Sequence, residues 1–199
     1  MRTLVLASTS PYRAALLRRL ALPFHTAKPD VDESIRDGES PETLVERLSH
    51  SKACAARAAH PEAIIIGSDQ VGVLDGTILN KPVTPERARE QLRAASGKEL
   101  RFLTGLCVLD AATGESSIGI DTCRVRFRDL SDDEIADYVL RENPIDCAGS
   151  FKVEGLGIAL FRSVSMDDPT ALEGLPLIRL SAALRRFGLP VLRARPEVR

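Results

Sequence analysis

Tryptophan is absent from this chain, and histidine is scarce. The three histidines, His25, His50 and His60, are scattered without the spacing of a catalytic triad, so chemistry driven by a histidine base is not expected. The four cysteines, Cys54, Cys107, Cys123 and Cys147, form no Cys-x-x-Cys pair and have no histidine cluster to complete a zinc site. Small buried thiols in a reducing compartment are the expectation. Charge of one sign is missing too: the formal net charge is −1, which gives no global attraction to nucleic acid or anionic lipid. Any anion site must be local. No apolar run approaches membrane-spanning length, and Leu4-Val5-Leu6-Ala7 is too short for a signal segment, so no membrane partner and a cytoplasmic location are expected. No Gly-x-Gly-x-x-Gly follows a strand, which argues against a dinucleotide-binding oxidoreductase.

What is present is an ordinary globular composition, 44% hydrophobic and 28% charged over 199 residues. One domain with two lobes about a cleft is the size class, and residues 1–188 are expected to form it. The tail Leu189 to Arg199 has two prolines, three arginines and no packing pattern, so it is expected to be a loose end.

Leu4 to Ala7 reads as a buried strand, and Ser10-Pro11 as the cap and first position of a helix whose apolar stripe is Leu16, Leu17 and Leu20. Leu22 to Ala27 reads as a second short strand. Ser40-Pro41 starts a long helix by the same logic, buried along Leu44, Leu48 and Ala55. Ala63 to Gly67 is an all-apolar strand, and Val71 to Leu79 a hairpin on Asp75-Gly76. A helix from Thr84-Pro85 to about Ala95 follows, then two long alternating strands, Leu100 to Leu109 and Ser117 to Phe127. Ser131 to Glu134 is a capping box, Gly157 to Phe161 another strand, and Leu175 to Phe187 the closing helix. The fold class expected is α/β, a mixed twisted sheet with flanking helices.

Several constellations could carry chemistry. Ser8-Thr9-Ser10-Pro11-Tyr12-Arg13 lies between a strand and a helix, where free backbone N–H groups favour phosphate, although a capped helix with a surface arginine has the same pattern. Asp69, in Gly67-Ser68-Asp69-Gln70, is expected at a strand end, as a metal ligand, a base or a turn cap. Asp30, Asp32 and Glu33 are oxygen donors for Mg²⁺ or merely solvated surface. Lys52 and Lys81 are isolated cations. In Phe151-Lys152-Val153-Glu154-Gly155, Lys152 and Glu154 stand at alternate positions, and an ion pair is the plain account.

Together, in chain order, Ser8-x-Ser10-Pro11-x-Arg13, Asp30-x-Asp32-Glu33, Lys52, Gly67-Ser68-Asp69, Asn80-Lys81-Pro82 and Gly149-Ser150-Phe151-Lys152-x-Glu154-Gly155 resemble the Maf-like family of nucleotide pyrophosphatases. The resemblance runs from about Thr3 to Gly188. It implies a fold like that of inosine triphosphate pyrophosphatases, two lobes about a deep cleft, and often a homodimer. It implies hydrolysis of a nucleoside triphosphate to the monophosphate and pyrophosphate, with a divalent metal, Mg²⁺ or Mn²⁺, with Co²⁺ as an alternative. Carried over by position, it makes Asp69 the proton acceptor and, with Glu33, a metal ligand. Ser8, Ser10, Arg13, Lys52, Lys81 and Lys152 become the phosphate-binding set, with Lys52 and Lys81 also counted as catalytic.

Tyr12, Gln70 and Glu154 stand where the pyrimidine-preferring branch has Arg, Thr and Gln, and they resemble the 7-methyl-GTP branch. Methylation at N7 makes guanine cationic, so a carboxylate and an aromatic face would favour it over neutral bases. The alternatives are the same reaction on dTTP, UTP or another nucleotide, or a nucleotide-binding regulator of septum formation.

Overall fold

In a computed structural model, which describes residues 2–192, the chain folds into a seven-stranded sheet with helices on both faces. The elements in order are β1 (Leu4–Ala7), α1 (Pro11–Arg18), β2 (His25–Ala27), α2 (Pro41–Ala55), β3 (Ile64–Leu74), β4 (Thr77–Leu79) and α3 (Pro85–Ala95). Then follow β5 (Glu99–Asp110), β6 (Ser116–Phe127), α4 (Asp132–Glu142), β7 (Phe161–Ser165) and α5 (Leu177–Arg186), with short 3-10 turns at Ala148–Ser150 and Leu156–Leu160. The strand order is β2-β1-β3-β5-β6-β7, with β4 pairing β3. β1 runs parallel to β2 and β3, and all the other pairs are antiparallel. None of the described helices is long and apolar enough to cross a membrane.

Local chemistry sets the helix starts. Ser10, Ser40 and Thr84 each accept a hydrogen bond from the backbone N–H three residues on, with proline at the first helical position; each such cap stabilises by about 1 kcal/mol. Ser131 and Glu134 close the reciprocal capping box of α4. The β3–β4 hairpin turns on Asp75 and Gly76, both at positive φ as a tight two-residue turn requires.

The strands β1, β3 and β5 are apolar on both faces. Leu4, Leu6, Ile64, Ile66, Leu106 and Val108 pack against α1 and α5, while Val5, Ile65, Cys107 and Leu109 pack under α2 with Ala53 and Ala56. A separate cluster joins α3 and α4 to Leu100, Phe102, Val125, Phe127 and Phe151. These two bodies of core are the lobes. α2 sits unusually close to the sheet because β3 and β5 present glycines to it: a Cβ at Gly67 would lie 2.1 Å from Ser49 O, and one at Gly105 2.4 Å from Val45 O.

Four boundaries differ from those read in the sequence. β3 does not stop at Gly67 but runs unbroken for eleven residues, so Asp69 stands in mid-strand, paired with Gly105, rather than at a strand end. β2 begins at His25, because Pro23 cannot donate to a ladder and Leu22 and Phe24 turn into the core. Leu156–Leu160 is a 3-10 turn, folded so tightly that a Cβ at Gly157 would lie 2.3 Å from Lys152 O, and the strand follows it. α5 starts at Leu177, where Asp168 Oδ2 accepts from Ile178 N at 2.6 Å and caps the helix from a distance in sequence. At the C-terminal side, Leu189 is buried and Val191 packs beside it, so the loose end does not begin at Leu189; its remainder, 193–199, falls outside the described residues.

Candidate active site

A cleft of about 770 Å³ opens between the lobes. The β1–α1 loop and the first turn of α1 contribute Ser8, Ser10, Tyr12 and Arg13, and the middle of β3 contributes Asp69 and Gln70. Asn80 and Lys81 from the β4–α3 connection and Glu154 from the segment before β7 form the opposite side.

The side chains of β3 alternate between faces, and this divides labour between neighbours. Asp69 points toward α2 on the same face as Gly67, and the close seat of that helix brings Lys52 to it: Lys52 Nζ lies 2.6 Å from Asp69 Oδ1 and 2.8 Å from Glu33 Oε1. Lys52 and Asp69 are both buried, whereas Glu33 is exposed on the loop before α2. That loop is strapped to α2 by Arg47, whose guanidinium holds Glu39 (Nε to Oε1, 2.6 Å) and the Ser34 carbonyl (2.9 Å).

Ser68 and Gln70 point the other way. Ser68 Oγ lies 2.8 Å from Gly105 O and 3.0 Å from Gly174 O, and its single proton is shared between these two acceptors. Gln70 Nε2 spreads its two N–H donors over three acceptors, Thr104 Oγ1 and Ala171 O, both at 2.9 Å, and Leu172 O at 3.1 Å. Arg13 Nε reaches the same loop, donating to Gly174 O at 2.8 Å. Burial lowers the pKa of the Arg13 guanidinium, and the carboxylates of Asp69 and Glu33 act in the opposite direction. An added anion beside Arg13 would therefore be favourable.

Tyr12 stands at a second, carboxylate-rich part of the cleft. Its hydroxyl makes a long contact to Asp146 Oδ2, 3.4 Å, and its pKa is pushed up to about 12, first by burial and then by Cys147, Asp146 and Glu154. Glu154 is also a near neighbour of Glu173, another residue of the cleft wall.

Of the residues singled out in the sequence, the cleft gathers Ser8, Ser10, Tyr12, Arg13, Glu33, Lys52, Asp69, Gln70, Lys81 and Glu154. Lys152 is not among them. Its Nζ donates to the Glu142 carbonyl at 2.9 Å, at the C-terminal end of α4 where a cation is favoured. It forms no ion pair with Glu154 among the described residues, because Val153–Gly155 turns instead of extending. Glu173, Asp146, Arg47 and Gln91 were not readable as site residues. Gln91 joins two cleft loops, donating to Asn80 O at 2.8 Å and accepting from Ser150 Oγ at 2.6 Å. Only Asp168-x-Thr170, a helix-capping pattern, carried a local signal.

The donor set suits a hard divalent cation. Asp69 and Glu33 already converge on one positive charge, the Lys52 ammonium, and Mg²⁺ typically takes one or two carboxylates and completes its shell with phosphate oxygens and water. No group of three or more His, Cys, Asp or Glu side chains forms an all-protein cage among the described residues.

The chain matches the family model described as "Maf-like protein" over residues 3–187. It is 56% identical over 191 residues to the 7-methyl-GTP pyrophosphatase of Pseudomonas aeruginosa, covering 96% of this chain and 100% of that one. It is 54% identical to the protein of that name from Nitrosococcus oceani and 50% identical to that from Colwellia psychrerythraea, each match covering 96% of both chains. With a family model spanning nearly the whole chain, relatives matched almost end to end and the family's residues assembled in one cleft, the chain belongs to the Maf-like family.

Proposed function

We propose that this protein is a nucleoside triphosphate pyrophosphatase that hydrolyses 7-methyl-GTP to 7-methyl-GMP and pyrophosphate. The observation that carries the reading is the division of charge within one cleft. Arg13 and Lys52, with Asp69 and Glu33, make a part that suits phosphates and a cation; Tyr12, Asp146, Glu154 and Glu173 make a part that suits a positively charged base. A nucleotide methylated at guanine N7 carries both charges, and neutral bases gain less from the second part. The names of the relatives support the same substrate.

In this reading the backbone at Ser8–Ser10, the Arg13 guanidinium, Lys52 and Lys81 hold the triphosphate and neutralise its charge. Asp69 orients the attacking water and accepts its proton; Oδ1 is held by Lys52, and the remaining oxygen faces the water. The water oxygen bonds to the α phosphorus as the bond to the α–β bridging oxygen breaks, and pyrophosphate departs with that electron pair. Glu33 and Asp69 would hold Mg²⁺ or Mn²⁺, which supplies charge neutralisation to the phosphates. Glu33 is kept at hand by the Arg47 strap even before substrate arrives.

The test is a panel of 7-methyl-GTP, GTP, dTTP and UTP, assayed for pyrophosphate with Mg²⁺, Mn²⁺ and Co²⁺. The expected result is metal-dependent release of pyrophosphate with the highest kcat/KM for 7-methyl-GTP. Orthophosphate as the primary product, or full activity in excess chelator, would overturn the reaction. A preference for dTTP or UTP would overturn the substrate.

A further inference from the structure

Gln70 lies in the cleft, yet its amide nitrogen is spent on protein: it donates to Thr104 Oγ1, Ala171 O and Leu172 O. Thr104 Oγ1 donates to Ala171 O as well, at 2.9 Å, and three residues further on Gly174 O accepts from Arg13 Nε and lies within hydrogen-bond reach of Ser68 Oγ. Three of the four carbonyls from 171 to 174 are thus tied to β3, β5 and α1. The residue in the middle of this fixed loop is Glu173, and its side chain lines the cleft.

We propose that Glu173 is the residue that reads the guanine edge, and that Gln70 acts on specificity through it, as a positioning residue. The inference rests on the nucleotide reading given above. Guanine offers two adjacent donors, N1–H and N2–H, which the two oxygens of a carboxylate match in a paired arrangement. Uracil and thymine offer one N–H flanked by carbonyls, so the second carboxylate oxygen would face an acceptor. Adenine presents an acceptor at N1. A carboxylate on a rigid loop therefore selects guanine by pairing and rejects the other bases by repulsion.

Glu173 also has unspent capacity. Its only ion-pair partner among the described residues is Arg19, at 3.8 Å, beyond hydrogen-bond reach and itself largely exposed. Burial raises the Glu173 pKa, Glu154 adds to that, and Arg19 only partly opposes it. A ligand that brings two N–H donors would relieve this carboxylate. In this division Glu154 and Tyr12 answer to the charge of the base and Glu173 to its hydrogen-bonding edge.

The experiment measures kcat/KM for 7-methyl-GTP, GTP and UTP in the wild type, Glu173→Gln, Gln70→Leu and the double variant. Glu173→Gln presents an amide donor to a donor, so kcat/KM for both guanine nucleotides should fall at least about tenfold, while that for UTP should hold or rise because the repelling oxygen is gone. Gln70→Leu should show the same selective loss, and the double variant little more than either alone. Uniform losses across the three substrates, or no loss in Glu173→Gln, would overturn the assignment. Should Gln70→Leu fail to fold, Glu173→Ala and Glu173→Gln decide alone, since that side chain is one-third exposed and its one ion pair among the described residues, with Arg19, is 3.8 Å long. A wild type that turns over GTP and 7-methyl-GTP equally removes the methyl-selective reading, and the guanine-to-uracil ratio in Glu173→Gln still decides on Glu173.

Discussion

Arg47 holds Glu39 with a two-point grip, Nε to Oε1 at 2.6 Å and Nη2 to Oε2 at 2.8 Å, and the same Nη2 reaches Ser34 O, one residue beyond Glu33. The grip holds the Glu39 carboxyl down to about 2 from 4.5, with the Arg47 hydrogen bond as the largest cause. A carboxyl with a depressed folded-state pKa adds stability above its ordinary pKa and loses it as pH falls toward the folded value. Arg47→Met should therefore flatten the fall in unfolding midpoint between pH 5 and pH 3, as denaturant titrations at the two pH values would read. Activity at neutral pH should drop several-fold through looser placement of Glu33. Wild-type pH dependence and wild-type activity in the variant would show that the strap does neither.

Asp69→Asn keeps the size of the side chain and removes its charge. The loss of turnover should be at least about a hundredfold if Asp69 takes the proton, since general-base catalysis is worth that much or more. Circular dichroism should be unchanged. Near-wild-type turnover in the folded variant would remove Asp69 from the chemistry.

Glu154→Gln should narrow the preference for 7-methyl-GTP over GTP by about fivefold, since a carboxylate contributes about 1 kcal/mol to a cationic base in a partly wet cleft and the stacked ring is left in place. GTP itself should be little affected. An unchanged ratio would show that Glu154 does not read the charge of the base.

Gly67→Ala places a methyl 2.1 Å from Ser49 O and 2.7 Å from Ala53 N, both backbone atoms of α2 that no rotamer change can move. Overpacking of this kind costs about 1–3 kcal/mol, and relief must lift the helix and draw Lys52 from Asp69. Thermal unfolding should come earlier, and the folded fraction should show a lower kcat. Wild-type kcat in the folded variant would mean the seat of α2 does not set the Lys52 contact.

The helix starts were legible because Ser10-Pro11, Ser40-Pro41, Thr84-Pro85 and Ser131–Glu134 act within four residues of themselves, and the Asp75-Gly76 hairpin for the same reason. The cleft set was legible only through the family's motif order; spacing alone left Glu33, Lys52 and Asp69 as scattered charges. The placing of Lys152 is not legible in the sequence, because its partner is a carbonyl ten residues away, at the end of a helix whose direction the sequence does not give. The loop 168–174 stayed opaque for the same reason. Its anchors, Gln70, Thr104, Ser68 and Arg13, all lie more than sixty residues earlier.

Ser68, Asp69 and Gln70 pair with Leu106, Gly105 and Thr104 across β3 and β5, within an antiparallel ladder that runs from Ile64↔Asp110 to Leu74↔Leu100. Because side chains alternate, sliding that ladder by a single position would turn Asp69 toward the loop and its neighbours toward Lys52. The alignment of two strands thus acts as a reading frame for the chemistry. A one-residue deletion within β3, even one that spared every residue of the cleft and left the protein folded, would behave as a frameshift does in a message: everything downstream would be intact and in the wrong place.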